Sequence, residues 1–329
     1  MKFCGDEGER EYEIATMCDH PNILKPTMCE PDGQYIAMSM PLCTELVKEM
    51  PFSNSWSRLT TELFSAVSHC HEKGIVHGDI KPDNLLISGD GRLQITDFGS
   101  SFRPGPPHNE RVREEGHTID YTAPEAAISW GRMTYCSDVW SAVATAFEMA
   151  TGRSLVSVRT RDLRFIMNEA GAEEVEGESE GSEEAVSDDE QSKSDESDDG
   201  TDQESKESEE GSGEVSDESS TCSGDTEEHD QHQLRMYLIS VEGTFGQFPR
   251  SFVKRFKHTG LFRGGRPLDA PLFRPKSLRE VEEEVLSECS SNDTHLGMAF
   301  RLVREACVYN CERRPSASGV VELLNEWNA

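Results

Sequence analysis

Ten residues, Ile75 to Asn84 (Ile-Val-His-Gly-Asp-Ile-Lys-Pro-Asp-Asn), hold an imidazole, a carboxylate, an ammonium and an amide at fixed offsets, in His77, Asp79, Lys81 and Asn84. That combination suits phosphoryl transfer. Asp79 would orient a substrate hydroxyl and accept its proton, Lys81 would steady the migrating phosphoryl group, and Asn84 would hold a metal ion against a triphosphate. Thirteen residues after Asn84, Asp97-Phe98-Gly99 adds the carboxylate that magnesium chemistry needs. Between them lie Leu85 to Ser88, a Gly89-Asp90-Gly91 turn, and Arg92 to Thr96. This pattern predicts a short hairpin that folds the two metal-binding ends back on each other.

Other elements must carry this loop. Ser57 to Lys73 places Leu59, Leu63, Phe64, Ala66, Val67 and Cys70 at three- and four-residue spacing, which predicts an amphipathic helix stopped by Gly74. Val139 to Met149 is apolar enough for a helix through a lobe centre, and Leu278–Cys289, Leu296–Tyr309 and Ser316–Trp327 read as further helices. Upstream, Glu7 to Cys18 predicts a helix that Pro21 ends, and Leu24–Met28 and Gln34–Met40 read as strands around a turn at Glu30 to Gly33.

Ala123-Pro124-Glu125, Asp138-Val139-Trp140-Ser141 and Arg313-Arg314-Pro315 follow the two motifs in an order that resembles a eukaryotic-type Ser/Thr protein kinase over nearly the whole chain. The resemblance implies an α+β, bilobal fold, with a shortened antiparallel-sheet N-lobe over 1–42 and a mainly helical C-lobe over 43–168 and 231–329. It implies ATP and Mg2+ as cofactors and protein substrates. Lys2 is then the candidate for the lysine that grips the nucleotide phosphates, with a frayed terminal charge as the alternative. Glu11 is its candidate partner, and Glu7, Glu9 and Glu13 compete for that role. Met38 and Met40 would border the adenine around a hinge at Ser39 to Leu42, or serve as core filler. Thr118 matches the threonine that bridges Asp79 and Lys81 and selects hydroxyl acceptors. Asp138 would accept backbone N–H groups of the catalytic loop, and Glu125 and Arg314 would form a buried structural pair. Gly78 stands where many such enzymes carry an arginine that meets a phosphate on the activation loop, Ser100 to Thr122. No G-x-G-x-x-G lies ahead of Lys2, so a pseudokinase scaffold is the rival reading. The wording of 137–153 and 231–241 is similar to SR-protein kinases, which suggests basic, Arg/Ser-rich substrates.

The formal charge of −31 is concentrated in one place. Residues 169–230 hold 27 Asp or Glu against 2 Lys, which leaves 36 acids and 30 bases elsewhere. A tract so poor in apolar residues is expected to be disordered. It would gather basic substrates by long-range attraction or, alternatively, occupy the basic, aromatic-rich stretch Ser251 to Arg266; the first is favoured. Ser187 and Ser192 have an acid three residues on, which suits acid-directed kinases. Nucleic-acid binding by Ser251 to Arg266 is the less favoured reading of that stretch. The ten cysteines lack Cys-x-x-Cys spacing, so neither zinc nor disulfides are expected, and reduced thiols point to cytosol or nucleus. No apolar run is long enough to span a bilayer.

Overall fold

A computed structural model describes residues 2–4, 8–32, 35–48, 50–104, 119–129, 132–156, 223–268, 275–288 and 293–329. A small antiparallel sheet, in the order β1 (Lys2–Cys4), β3 (Tyr35–Ser39), β2 (Thr27–Asp32), carries helix α1 (Gly8–Met17) beside it. The sheet and α1 stand against a larger helical lobe, the two-lobed arrangement foreseen. Strand β2 begins three residues later than the spacing predicts, because Pro26 lacks the N–H that a ladder needs. Leu24, assigned to that strand, instead donates its N–H to Ile95 O at 2.9 Å. Ile95 in turn donates to Asn22 O at 2.9 Å, and Asn22 Nδ2 reaches Leu93 O at 2.8 Å. The loop after α1 is therefore stitched to the hairpin that follows the catalytic loop.

That hairpin is β5 (Leu85–Ile87) and β6 (Leu93–Ile95), in the register Leu85 to Ile95. The sequence pattern missed a third strand, β4 (Thr44–Glu45), which pairs with β5. Two residues with exposed side chains carry too little periodicity to be read. Below the hairpin, α2 (Trp56–Glu72) packs its apolar face on α4 (Tyr135–Thr151), and Trp56 Nε1 donates to Ala146 O at 2.7 Å. Helix α4 is buried on nearly every side and opens with a capping box in which Thr134 and Ser137 satisfy each other's N–H. The helices α8 (Thr294–Ala306) and α9 (Ala317–Asn328) close the lobe, α8 on α4 and α9 on α2.

Helix α3 (Pro124–Ile128) is followed after α4 by α5 (Ser223–Phe245). The boundary expected at 230 thus falls inside α5, which begins at Ser223. The remainder of the acidic tract, with Ser187 and Ser192, lies outside the described residues. The chain continues through α6 (Arg250–Arg255), the hairpin β7 (Phe262–Arg263) and β8 (Arg266–Pro267), and α7 (Leu278–Glu288).

Glu125 at the start of α3 and Arg314 near the C-terminus form the foreseen pair, Nη1 to Oε1 at 2.8 Å, with the Arg314 side chain fully buried. Arg314 also donates to Cys136 O at 2.6 Å and Val308 O at 2.8 Å. Removing the negative partner leaves a buried guanidinium without its counter-charge. Glu125→Gln should therefore lower stability by about 3–5 kcal/mol, read as a lower urea midpoint with an unchanged m-value.

Candidate active site

The catalytic loop is built around one buried carboxylate. Asp138, in the first turn of α4 and fully buried, accepts His77 N–H at 2.8 Å on Oδ2 and Gly78 N–H at 2.9 Å on Oδ1. His71 Nε2 lies 3.0 Å from the same Oδ2. Two successive N–H groups point at one carboxylate only if the backbone turns sharply between them. Gly78 supplies the turn with φ +81. A Cβ there would lie 2.9 Å from Ser100 O, so the position is closed to side chains as well as strained for them. An arginine at this position would carry both the backbone strain and the close contact with Ser100 O.

His77 is locked from both ring nitrogens. Its Nδ1 accepts Asp79 N–H at 3.3 Å, which leaves Nε2 as the donor to Thr96 O at 3.2 Å, and its ring packs edge-on against Phe98. Asp138, Asp79 and Asp97 all favour the charged ring, yet complete burial outweighs them and holds the imidazole below its usual value. Thr96 N–H meanwhile donates to Asn84 O at 3.0 Å. One residue therefore fixes the catalytic loop against the strand that delivers Asp97. Sequence reading assigned roles to neither His77 nor Thr96; the signal for Thr96 is only its place next to Asp97.

The foreseen residues converge. Lys81 Nζ sits 3.1 Å from Asp79 Oδ2. Asn84 Nδ2 donates to Asp79 O at 2.8 Å and to Asp79 Oδ2 at 3.0 Å. Both acceptors are oxygens without a proton to give, so the amide nitrogen must face them and the amide oxygen must face away. Asp97 is the sole non-glycine residue at positive φ (63) among those described, and it caps the turn Phe98–Ser100 by accepting Gly99 N–H at 3.4 Å. Such strain is found where a side chain must be aimed. The Asn84 oxygen and the Asp97 carboxylate are hard donors of the kind Mg2+ takes, in a number that leaves room for water and phosphate oxygens. They fit the metal.

Glu11 brings its carboxylate to the same place: a Cβ on Gly99 would lie 3.3 Å from Asp97 Oδ1 and 3.6 Å from Glu11 Oε2. Arg10 Nη2, one residue earlier, donates to Ser101 O at 3.1 Å, and Ser101 Oγ donates to His77 O at 2.9 Å. Helix α1 is thereby tied to the segment after Asp97. Lys2 pairs with Met38 across β1 and β3, which puts it on the strand beside the expected hinge; its side chain is outside the described set. Met38 is buried within β3, and Thr96 Oγ1 donates to the Met40 sulfur at 3.9 Å. Thr118 lies outside the described residues.

The sequence profile of the protein kinase domain matches residues 4–209. The chain belongs to the protein kinase domain family. Domains of this family use ATP and a divalent metal. Among its relatives, Aurora/IPL1-related protein kinase 2 of Caenorhabditis elegans is 34% identical over 152 residues, 44% of this chain and 48% of the relative. CBL-interacting serine/threonine-protein kinase 24 of Arabidopsis thaliana is 33% identical over 45% of this chain and 34% of its own length. Serine/threonine-protein kinase AtPK1/AtPK6, also from Arabidopsis thaliana, is 33% identical over 49% and 38%. The kinase chain thus spans half or less of the length of these curated relatives.

Two outcomes follow from the loop. Gly78→Ala should cost about 1–2 kcal/mol from backbone conformation alone, before the contact with Ser100 O, and should lower the melting temperature. Because burial depresses the folded-state pKa of His77, the unfolded chain binds its proton first, and stability falls as pH drops below the ordinary imidazole value of about 6.5. His20, also depressed mainly by burial, acts in the same direction. In His77→Asn the slope of unfolding free energy against pH below that value should be shallower than in the wild type, by at most about 1.4 kcal/mol per pH unit.

Proposed function

We propose that this kinase domain transfers the γ-phosphoryl group of Mg2+-bound ATP to serine or threonine hydroxyls of protein substrates. The observation that carries the reading is the joined set Asp79, Lys81 and Asn84, held at hydrogen-bond distances and tied through Thr96 to a strained Asp97. In this reading Asp79 orients the acceptor hydroxyl and takes its proton, while Lys81, 3.1 Å away, keeps the Asp79 carboxylate in place and offsets charge on the migrating phosphoryl. Asn84 and Asp97 would hold the metal, which supplies charge neutralisation at the phosphates when bound. A scaffold without catalysis needs none of these contacts.

Carboxylates that act on one another near Lys81 would favour substrates with basic residues near the phosphorylated hydroxyl. Burial raises the pKa of Glu148, the Tyr121 hydroxyl lowers it, and Asp120 and Asp83, the latter two residues beyond Lys81, raise it again. Tyr121 Oη donates to Glu148 Oε2 at 2.5 Å and positions it. The likeness to SR-protein kinases is unsupported by the relatives named above and forms no part of the proposal, although Arg/Ser peptides remain suitable test substrates.

Purified protein should label a serine-containing basic peptide from ATP and Mg2+. Asp79→Ala should lower the rate by about 10²-fold or more without lowering the melting temperature markedly, and Asp97→Ala should abolish both transfer and the magnesium-dependent thermal shift given by ATP. A wild-type protein with neither transfer nor thermal shift would overturn the reading.

A further inference from the structure

From Gln247 to Leu268 the kinase carries Arg250, Lys254, Arg255, Lys257, Arg263 and Arg266 and not one acid. In a chain of net charge −31 this is a local reversal of sign. The fold turns the stretch into a surface. Phe248, Phe252 and Phe256 are buried, Phe248 stacks on Phe252 at 5.0 Å between ring centroids, and Phe262 meets Phe248 edge-on at 5.4 Å. The aromatic side chains thus glue α6 to the β7–β8 hairpin from beneath, and all six cations are left exposed. Arg266 pairs with Glu242 at 3.1 Å and Arg255 lies 5.4 Å above the Phe256 ring. Lys254, Lys257 and Arg263 form no ion pair among the described residues.

We propose that this surface is the docking site of the chain's own acidic tract, residues 169–222. The tract holds 23 acids against 2 Lys, a charge complement to a surface of six exposed cations of which one, Arg266, is paired with Glu242. Connectivity also favours it. The tract rejoins the fold at Ser223, the start of α5, and the 23 residues of α5 cover about 35 Å at the usual helical rise before the chain passes through Gly246–Pro249 to Arg250. Residues 157–222 are long enough to return across that distance, since a random coil of 66 residues spans about 45 Å. Tethering of this kind gives an effective concentration of roughly millimolar, so a contact with a dissociation constant of about 1 mM is half formed within one molecule while being negligible between molecules at micromolar concentration. A nucleic acid fits less well, because the rings that would stack on bases are buried under the cations.

The test is cleavage of the tract in the full chain by a glutamate-specific protease, with Lys254→Glu, Lys257→Glu and Arg263→Glu combined, and the same three positions changed to Gln as a milder variant. At about 0.02 M salt, where screening is weak, the tract should be cut at least threefold more slowly in the wild type than in the Glu variant, with the Gln variant between. At 0.5 M salt the three proteins should be cut alike. The substituted side chains are exposed, so unchanged melting temperatures accompany the result. Equal rates in wild type and both variants at low salt would overturn the proposal, as would protection that depends on salt but not on these cations. Protection that grows with protein concentration would assign the contact to a second copy and overturn docking within one chain.

Discussion

The buried carboxylate of Asp138 is the constraint from which the catalytic loop takes its shape. A carboxylate without water costs several kcal/mol unless its oxygens are fully engaged, and here three donors, His77 N–H, Gly78 N–H and His71 Nε2, converge on them. Its position in the first turn of α4 adds the favourable end of a helix dipole. Because two of the donors belong to the residues immediately before Asp79, the backbone that leads into Asp79 is set by the most buried helix of the lobe. Precision at the reacting end is thus inherited from core packing rather than from the loop's own contacts.

A second layer transmits this order forward. Thr96 receives His77 on its carbonyl and gives its N–H to Asn84, so Asn84 and Asp97 are coupled through the residue between strand and turn. Arg10 and Ser101 carry the connection on to helix α1. The small lobe therefore reaches the segment around Asp97 through several contacts, among them those of Asn22 to β6, Met40 to Thr96 and Arg10 behind Phe98.

The site was legible to the extent that chemistry restricts residue type. Asp79, Lys81, Asn84 and Asp97 are recognisable because few side chains do their work, and the long helices around Leu63 and Val143 because buried faces impose a period. What escaped were contacts made through the backbone. Thr96 contributes its N–H and C=O, which any residue but proline shares, so its identity says little. Strand β4 is two residues long, and β2 slipped because a single proline outweighed an otherwise extended pattern. At 251–266 the interleaved aromatics and cations leave base stacking as the less favoured reading, and the packing of Phe252 and Phe256 makes the pattern an inside and outside alternation.

Gly78 has a consequence for how this chain can change over generations. Since any side chain at that position meets Ser100 O and an unfavourable φ together, arginine is not reachable there by one codon change without a folding penalty. It requires the 98–101 segment to move first, and that segment is pinned by Arg10, His77 and Phe102. The path is closed by coupling between positions rather than by the chemistry of any one of them.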